Sequence, residues 1–275
     1  MIKRWQYKSA PPASAVASLC KAININPYLA TVLLQRGVDS FESARNFFRP
    51  QLSHLHDPFL MADMDKAVAR LKKAIDQNEK ILIYGDYDVD GTTAVSLVYS
   101  YLSGFYTACD VYIPDRYSEG YGVSSAGIQW AIENNFSLII TLDCGIKAAD
   151  MVSYGSNYGV DFIICDHHLP DDQLPHAIAV LDPKRQDCSY PYTELSGCGI
   201  GFKLIQAFAL LHGREEDVYE YLDLVAVSIA SDIVPITGEN RILAYYGLKK
   251  LNNNPSPGLK ALKEIADIRG GAMDI

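Results

Sequence analysis

Asp86, Asp88 and Asp90 occupy alternate positions in ILIYGDYDVDGTT, directly after an apolar run with the composition of a buried strand. Carboxylates at the end of a buried strand are costly unless a cation gathers them. Two further apolar runs end in the same way. SLIITLDCGI presents Asp143, and VDFIICDHHLP presents Asp166, His167 and His168. Carboxylate oxygens mixed with imidazole suit Mn²⁺ or Mg²⁺ better than a structural zinc ion. Asp232, in SIASDIVP, is placed to join the set from a later helical segment. Eight such donors exceed what one ion needs. They suit a pair of ions about 4 Å apart that share a carboxylate. Asp143, alone on a strand expected to be central, is the candidate for that bridge. Any one of these residues alone reads more simply, as a helix N-cap or a turn former. The chemistry is implied by the recurrence at three strand ends.

Other segments have the residue types of an anion site. Gly91, Thr92 and Thr93 open a helix, whose N-terminal N–H groups favour phosphate. Ser196, Gly197 and Gly199, in SGCGIGFK, form a second glycine-rich helix entry that also carries Lys203. It lacks the G-x-x-x-x-G-K-[ST] nucleotide loop. It reads equally as a phosphate contact or as close helix packing at glycine. Arg116, in IPDRYSEGYG, follows another strand; it can hold a phosphate or pair with Asp115 or Glu119. Lys184 and Arg185 read as phosphate contacts or as a solvated loop.

The elements that must position these residues follow a regular alternation. From Lys80 onward KILIYG, CDVYIP, LIITLD, DFIICD and AIAVLDP read as strands. TTAVSLVYSYL, SSAGIQWAIENN and KAADMVSYGSNYG read as the helices between them. Repeated βα units predict an α/β fold: an open, doubly wound, mostly parallel sheet covered on both faces. Ligands in such sheets bind beyond the carboxyl ends of the strands, where every candidate donor on a strand stands. Residues 1–75 read instead as a small helical segment, with Asn26 and Ser40 as N-caps, Gly37 as a stop, and a longer amphipathic helix from Met64. Residues 76–275 are expected to form the catalytic domain. After Pro191 the chain turns helical again.

Composition sets the outer bounds. The chain has 275 residues, 49% hydrophobic and 21% charged, as in a globular protein. Its six cysteines are scattered with no C-x-x-C pair, so reduced thiols are expected rather than disulfides or a zinc framework. No apolar run is long enough to cross a bilayer. The amino-terminal stretch lacks the apolar core of a signal peptide, so no membrane partner and a cytoplasmic protein are expected. The formal charge of −9 argues against nucleic acid. Carboxylates that hold divalent cations contribute to that sum, however, and a bound metal reverses the local field.

GDYDVDGTT, TLDCGI, DHH and SIASDIVP, in that order, resemble the DHH phosphoesterase superfamily. YGDYDVDGTTA, IPDRYSEGYG, CDHHLP, SGCGIGFKL and ASDIVPITGENR are similar to the RecJ single-stranded-DNA-specific exonucleases. The resemblance implies a 5′-to-3′ exonuclease on single-stranded DNA with two Mn²⁺ or Mg²⁺ ions, working beside other DNA repair proteins. It implies Asp86, Asp88 and Asp143 around one ion, and Asp90, Asp143, His167 and Asp232 around the other. It also implies His168 facing the scissile phosphate, Asp166 orienting the neighbouring histidine, and Arg116 on a substrate phosphate. The family's substrate-clamping domain and OB-fold do not fit this length, so a catalytic-core fragment is expected. Asp182 stands where an Asn is frequent, and Asp115 where a His is frequent. Two rival readings are a phosphodiesterase for short oligonucleotides or cyclic dinucleotides, and a non-catalytic nucleic-acid-binding scaffold. Every implied ligand position is filled, which speaks against the scaffold.

Overall fold

The computed structural model describes residues 4, 6–266, 268 and 272–274 of the chain. Residues 1–3 and 5 of the amino-terminal stretch, and 267, 269–271 and 275 of the tail read as helix or loop, lie outside the described residues. The chain forms two compact units, Met1–His54 and Leu55–Ile275.

Among the described residues, the first unit holds three α-helices: α1 (Ala13–Ile23), α2 (Pro27–Leu34) and α3 (Phe41–Phe48). Asn26 caps α2 by accepting from Leu29 N–H, and Ser40 caps α3 in a reciprocal arrangement with Ser43. Gly37 has φ +79°, a left-handed conformation that glycine adopts at no steric cost. Leu19, Ala30, Leu33, Val38 and Ala44 form the core of this unit.

The second unit starts with α4 (Met64–Asp76) and continues as β1 (Ile81–Gly85), α5 (Val89–Ser103), β2 (Cys109–Tyr112) and α6 (Ser125–Glu133). Next come β3 (Leu138–Leu142), α7 (Ala149–Asn157), β4 (Asp161–Cys165) and β5 (Ala179–Leu181). It closes with α8 (Gly197–Leu210), α9 (Leu222–Ser231), α10 (Gly238–Asn253) and α11 (Pro257–Ile265). The sequence reading grouped α4 with the helices before it. In the structure it belongs to the sheet unit: its apolar face packs on α8 and β5. Its buried Arg70 bonds Glu79 and Asp161, each at 2.6 Å.

The five strands are all parallel and ordered β2-β1-β3-β4-β5. β1 and β3 are buried along their whole length. This is why they read as continuous apolar runs rather than alternating ones. One face of the sheet (Leu82, Tyr84, Ile139, Phe162, Ile164, Val180) packs with Ile128 and Ala131 of α6 and Val152 of α7. α5 and α8 cover the opposite face. The strand order reverses between β1 and β3, which places the crevice of a doubly wound sheet at their carboxyl ends.

A candidate metal centre at the carboxyl edge of the sheet

The strand register puts four acidic residues in one row. Gly85 pairs with Leu142, Leu142 with Cys165, and Cys165 with Leu181. The residues that follow are Asp86, Asp143, Asp166 and Asp182. Asp143 N–H donates to Cys165 O at 2.9 Å and Asp166 N–H to Leu181 O at 3.0 Å, so the ladder extends one residue past each strand. Adjacent strands lie about 4.8 Å apart, so carboxylates meet side by side. All four are at most 2% exposed.

Hydrogen bonding sorts the row. Asp166 is satisfied by protein: it accepts from the N–H groups of Ile146, His167 and His168 and from His168 Nδ1 at 2.7 Å. Burial would raise its pKa, but these bonds outweigh burial and hold it below the usual carboxylate value. Asp182 is half satisfied: Oδ1 accepts from Lys184 N–H and Oδ2 has no partner. Burial pushes it up to about 6. Neither oxygen of Asp86 has a partner, nor has Oδ1 of Asp143, nor either ring nitrogen of His167 for a hydrogen bond. Buried polar atoms are ordinarily bonded. Burial, then Asp90 and Asp88, push Asp143 up to about 10. Burial likewise raises Asp86 and Asp232.

The unsatisfied atoms converge. His167 Nε2 lies 3.2 Å from Asp143 Oδ1, 3.6 Å from Asp232 Oδ2 and 3.8 Å from Asp90 Oδ2. Asp86, Asp88 and Asp143 offer oxygens within 4.8 Å of one another, as do the donor atoms of Asp90, His167 and Asp232. These are two adjoining ligand groups. Asp143 belongs to the first and sits 3.2 Å from the histidine of the second, which suits a bridge. The donor set is hard oxygen with imidazole, and its orphaned atoms fit a pair of Mn²⁺ or Mg²⁺ ions.

Local structure accounts for each placement. Asp86 ends β1. Asp88 caps α5 by accepting from Gly91 N–H at 3.0 Å, and Asp90 lies in the first turn. A side chain at Gly91 would meet the backbone of Asp86 at 2.5–2.8 Å, so only glycine lets α5 start so close to β1. Asp143 has φ +60°, a conformation that Asp and Asn tolerate and most residues avoid. Asp232 caps the C-terminus of α9.

The phosphate role expected of Ser196, Gly197 and Gly199 is not what the structure shows. All three are buried. Gly197 and Cys198 N–H groups donate to Asp90 at 2.7 and 2.8 Å, and Gly199 N–H donates to Ser196 Oγ. The loop holds Asp90 at the N-terminus of α8. A Cβ on Gly197 would lie 2.5–2.8 Å from the Asp143 side chain. Lys203 is also removed from any phosphate role: it is fully buried and pairs with Glu239 at 2.7 Å. Arg185 pairs with Asp63 and Asp187.

Arg116 pairs with neither Asp115 nor Glu119. It is exposed and stacks over the Tyr87 ring at 5.2 Å. Asp115 instead accepts from Tyr117 N–H and from Ser118, shaping the turn. His168 Nδ1 must donate to Asp166, which only accepts. Its Nε2 lies 3.2 Å from Tyr121 Oη, and the Asp166 bond raises its pKa. Sequence reasoning passed over Tyr121. It also passed over Ser228, whose hydroxyl donates to Asp90 at 2.6 Å. Ser228 precedes Asp232 by four residues on one helix, a same-face spacing that could have identified it.

A family model described as "DHH family, N-terminal domain" matches residues 80–229. The chain is 43% identical over 263 residues to the single-stranded-DNA-specific exonuclease RecJ of Bacillus subtilis (strain 168), covering 96% of this chain and 33% of that protein. It is 32% identical over 255 residues to the RecJ of Escherichia coli (strain K12), covering 88% of this chain and 43% of that one. It thus spans well under half of each. Among solved structures, RecJ in complex with Mn²⁺ from Thermus thermophilus superposes with a TM-score of 0.79 at 27% identity, over 95% of this chain and 37% of that one. An exonuclease RecJ bound to manganese gives 0.71 at 30% identity, over 81% and 55%. With the matched segment carrying β1 to β5 and all but one of the clustered donors, the chain belongs to the DHH family.

Proposed function

We propose that this chain carries the catalytic centre of a metal-dependent exonuclease that hydrolyses single-stranded DNA from its 5′ end in repair or recombination. The convergence of unbonded, buried Asp86, Asp143 and His167 atoms at the sheet edge carries this reading. Similar proteins named as single-stranded-DNA exonucleases, and RecJ structures solved with manganese, support the substrate and the metal.

Two divalent cations held by Asp86, Asp88, Asp90, Asp143, His167 and Asp232 would neutralise phosphoryl charge and acidify an attacking water. The chain's own residues do the rest. Asp166 fixes the His168 ring and its Nδ1 proton, leaving Nε2 beside the Tyr121 hydroxyl. With its pKa raised, His168 favours the imidazolium form, which donates to a phosphoryl or leaving-group oxygen. Arg116, exposed and without a carboxylate partner among the described residues, suits a neighbouring substrate phosphate. The Ser228 and α8 bonds fix Asp90 before substrate arrives.

Single strands labelled at the 5′ or the 3′ end, with Mn²⁺ or with EDTA, test the proposal. Label released as mononucleotide from the 5′ end first, with Mn²⁺ only, is expected. Release from the 3′ end first contradicts the direction, and release that survives EDTA contradicts the metal dependence.

A further inference from the structure

The segment ASDIVPITGENR joins α9 to α10, with the candidate ligand Asp232 near its start and the buried pair Glu239 and Asn240 near its end. Directly after Asp232, Ile233 has φ +57°, and it is 86% exposed. A β-branched residue in the left-handed region is strained. Packing of so exposed a side chain does little to hold it there, and such strain persists only where the surrounding structure fixes the chain. The fixing bonds converge on Pro235. Its carbonyl accepts from Asn240 Nδ2 and from Tyr192 Oη, each at 3.1 Å.

Asn240 Nδ2 also donates to Glu194 O. An amide nitrogen has two protons, and both are engaged here. Asn240 Oδ1, by contrast, is buried and unbonded. Buried polar atoms are ordinarily bonded, so an amide engaged at one end only is a poor packing residue and a good tie between two carbonyls. Glu194 leads into the loop whose Ser196 hydroxyl bonds Ser228 at 2.6 Å and whose Gly197 and Cys198 N–H groups hold Asp90. One side chain thus links the segment carrying Asp232 to the segment supporting Asp90. Both aspartates belong, with His167, to one ligand group. We propose that Asn240 is a positioning residue for the ion of that group, holding Asp232 and Asp90 at ligand spacing before the ion binds. The proposal rests on the metal-centre reading above, but part of its test needs no metal. Glu239, the preceding residue, provides the contrast. It is equally buried and bonds Lys203, Tyr190 and the His56 N–H, none of them a candidate ligand.

Calorimetric Mn²⁺ titration of the full chain and of two variants tests the tie. Asn240→Asp keeps the shape but turns an acceptor toward both carbonyls. It is expected to weaken the ion at Asp90, His167 and Asp232 roughly tenfold or more, as losses in the support around metal ligands do. The ion at Asp86, Asp88 and Asp143 should bind as before. Glu239→Gln breaks a buried ion pair. It is expected to lower Tm while both ions bind as in the unmodified chain. Hydrogen exchange of the metal-free proteins gives the second readout. Relative to β3 amides, the N–H groups of Gly197, Cys198 and Asp232 are expected to exchange faster in Asn240→Asp and unchanged in Glu239→Gln. If Asn240→Asp does not fold, Asn240→Ala takes its place with the same expectations. Full affinity for both ions with unaltered exchange in the Asn240 variant overturns the proposal. So does an equal loss of the same ion in Glu239→Gln. Fewer than two ions on the unmodified chain counts against the metal reading and leaves hydrogen exchange to decide the tie.

Discussion

At the scale of single residues, Asp143 combines the most unusual features of the site. It is buried, left-handed in backbone, and surrounded by Asp86, Asp88 and Asp90. Its folded pKa of about 10 stands far above the value of a free Asp, so the folded state holds a proton that the unfolded chain has lost. That contribution to stability is present at low pH and fades as pH rises toward about 10. A divalent ion must displace the same proton. The Mn²⁺-induced rise in Tm should therefore be larger at about pH 8.5 than at about pH 6. At ion concentrations ~100-fold above Kd the gain should be about 2.7 kcal/mol for each ion bound. Asp143→Asn keeps the shape and tolerates the positive φ. It should raise the Tm of the metal-free protein and diminish the Mn²⁺ increment. Calorimetry of both proteins with and without Mn²⁺ checks this; an undiminished increment in the variant contradicts Asp143 as a ligand.

At the scale of elements, the site depends on how closely α5 and α8 approach the sheet. Gly197→Ala would place a methyl against the Asp143 side chain. A cost of about 1–3 kcal/mol is expected for such overpacking, together with loss of Mn²⁺ binding in a titration. Ser228→Ala removes one of the bonds holding Asp90. It should lower Mn²⁺ affinity by roughly 10-fold or more, as losses in the support around metal ligands usually do. An unchanged affinity would show that the α8 N-terminus holds Asp90 alone. The strands and the acids at their ends were legible in the sequence because a buried parallel strand is a bare apolar run, and an acid at its end stands out. The loop containing Ser196 was not. Glycine with serine at a helix entry suits a phosphate or a neighbouring carboxylate equally, and only the register that brings Asp90 beneath α8 decides between them.

At the scale of the whole chain, alternating βα units foretold the parallel sheet, and the row of acids follows from its register. The limit of the sheet unit was harder to read. An amphipathic helix such as α4 shows that it has a partner, not which one, and it packs on α8, more than a hundred residues later. Tyr121 and Ser228 were passed over for a related reason: each matters through a contact with a distant residue, His168 or Asp90. The net charge of −9 is partly explained by the acids gathered at one edge. The central claim is that this edge holds two ions joined through Asp143. The most direct measurement is a Mn²⁺ titration of the full chain followed by electron paramagnetic resonance. Two equivalents with the exchange-coupled spectrum of ions about 4 Å apart, reduced to isolated-ion signals in Asp143→Asn, are predicted. No tight binding, a single equivalent, or two uncoupled ions in the unmodified chain would contradict it.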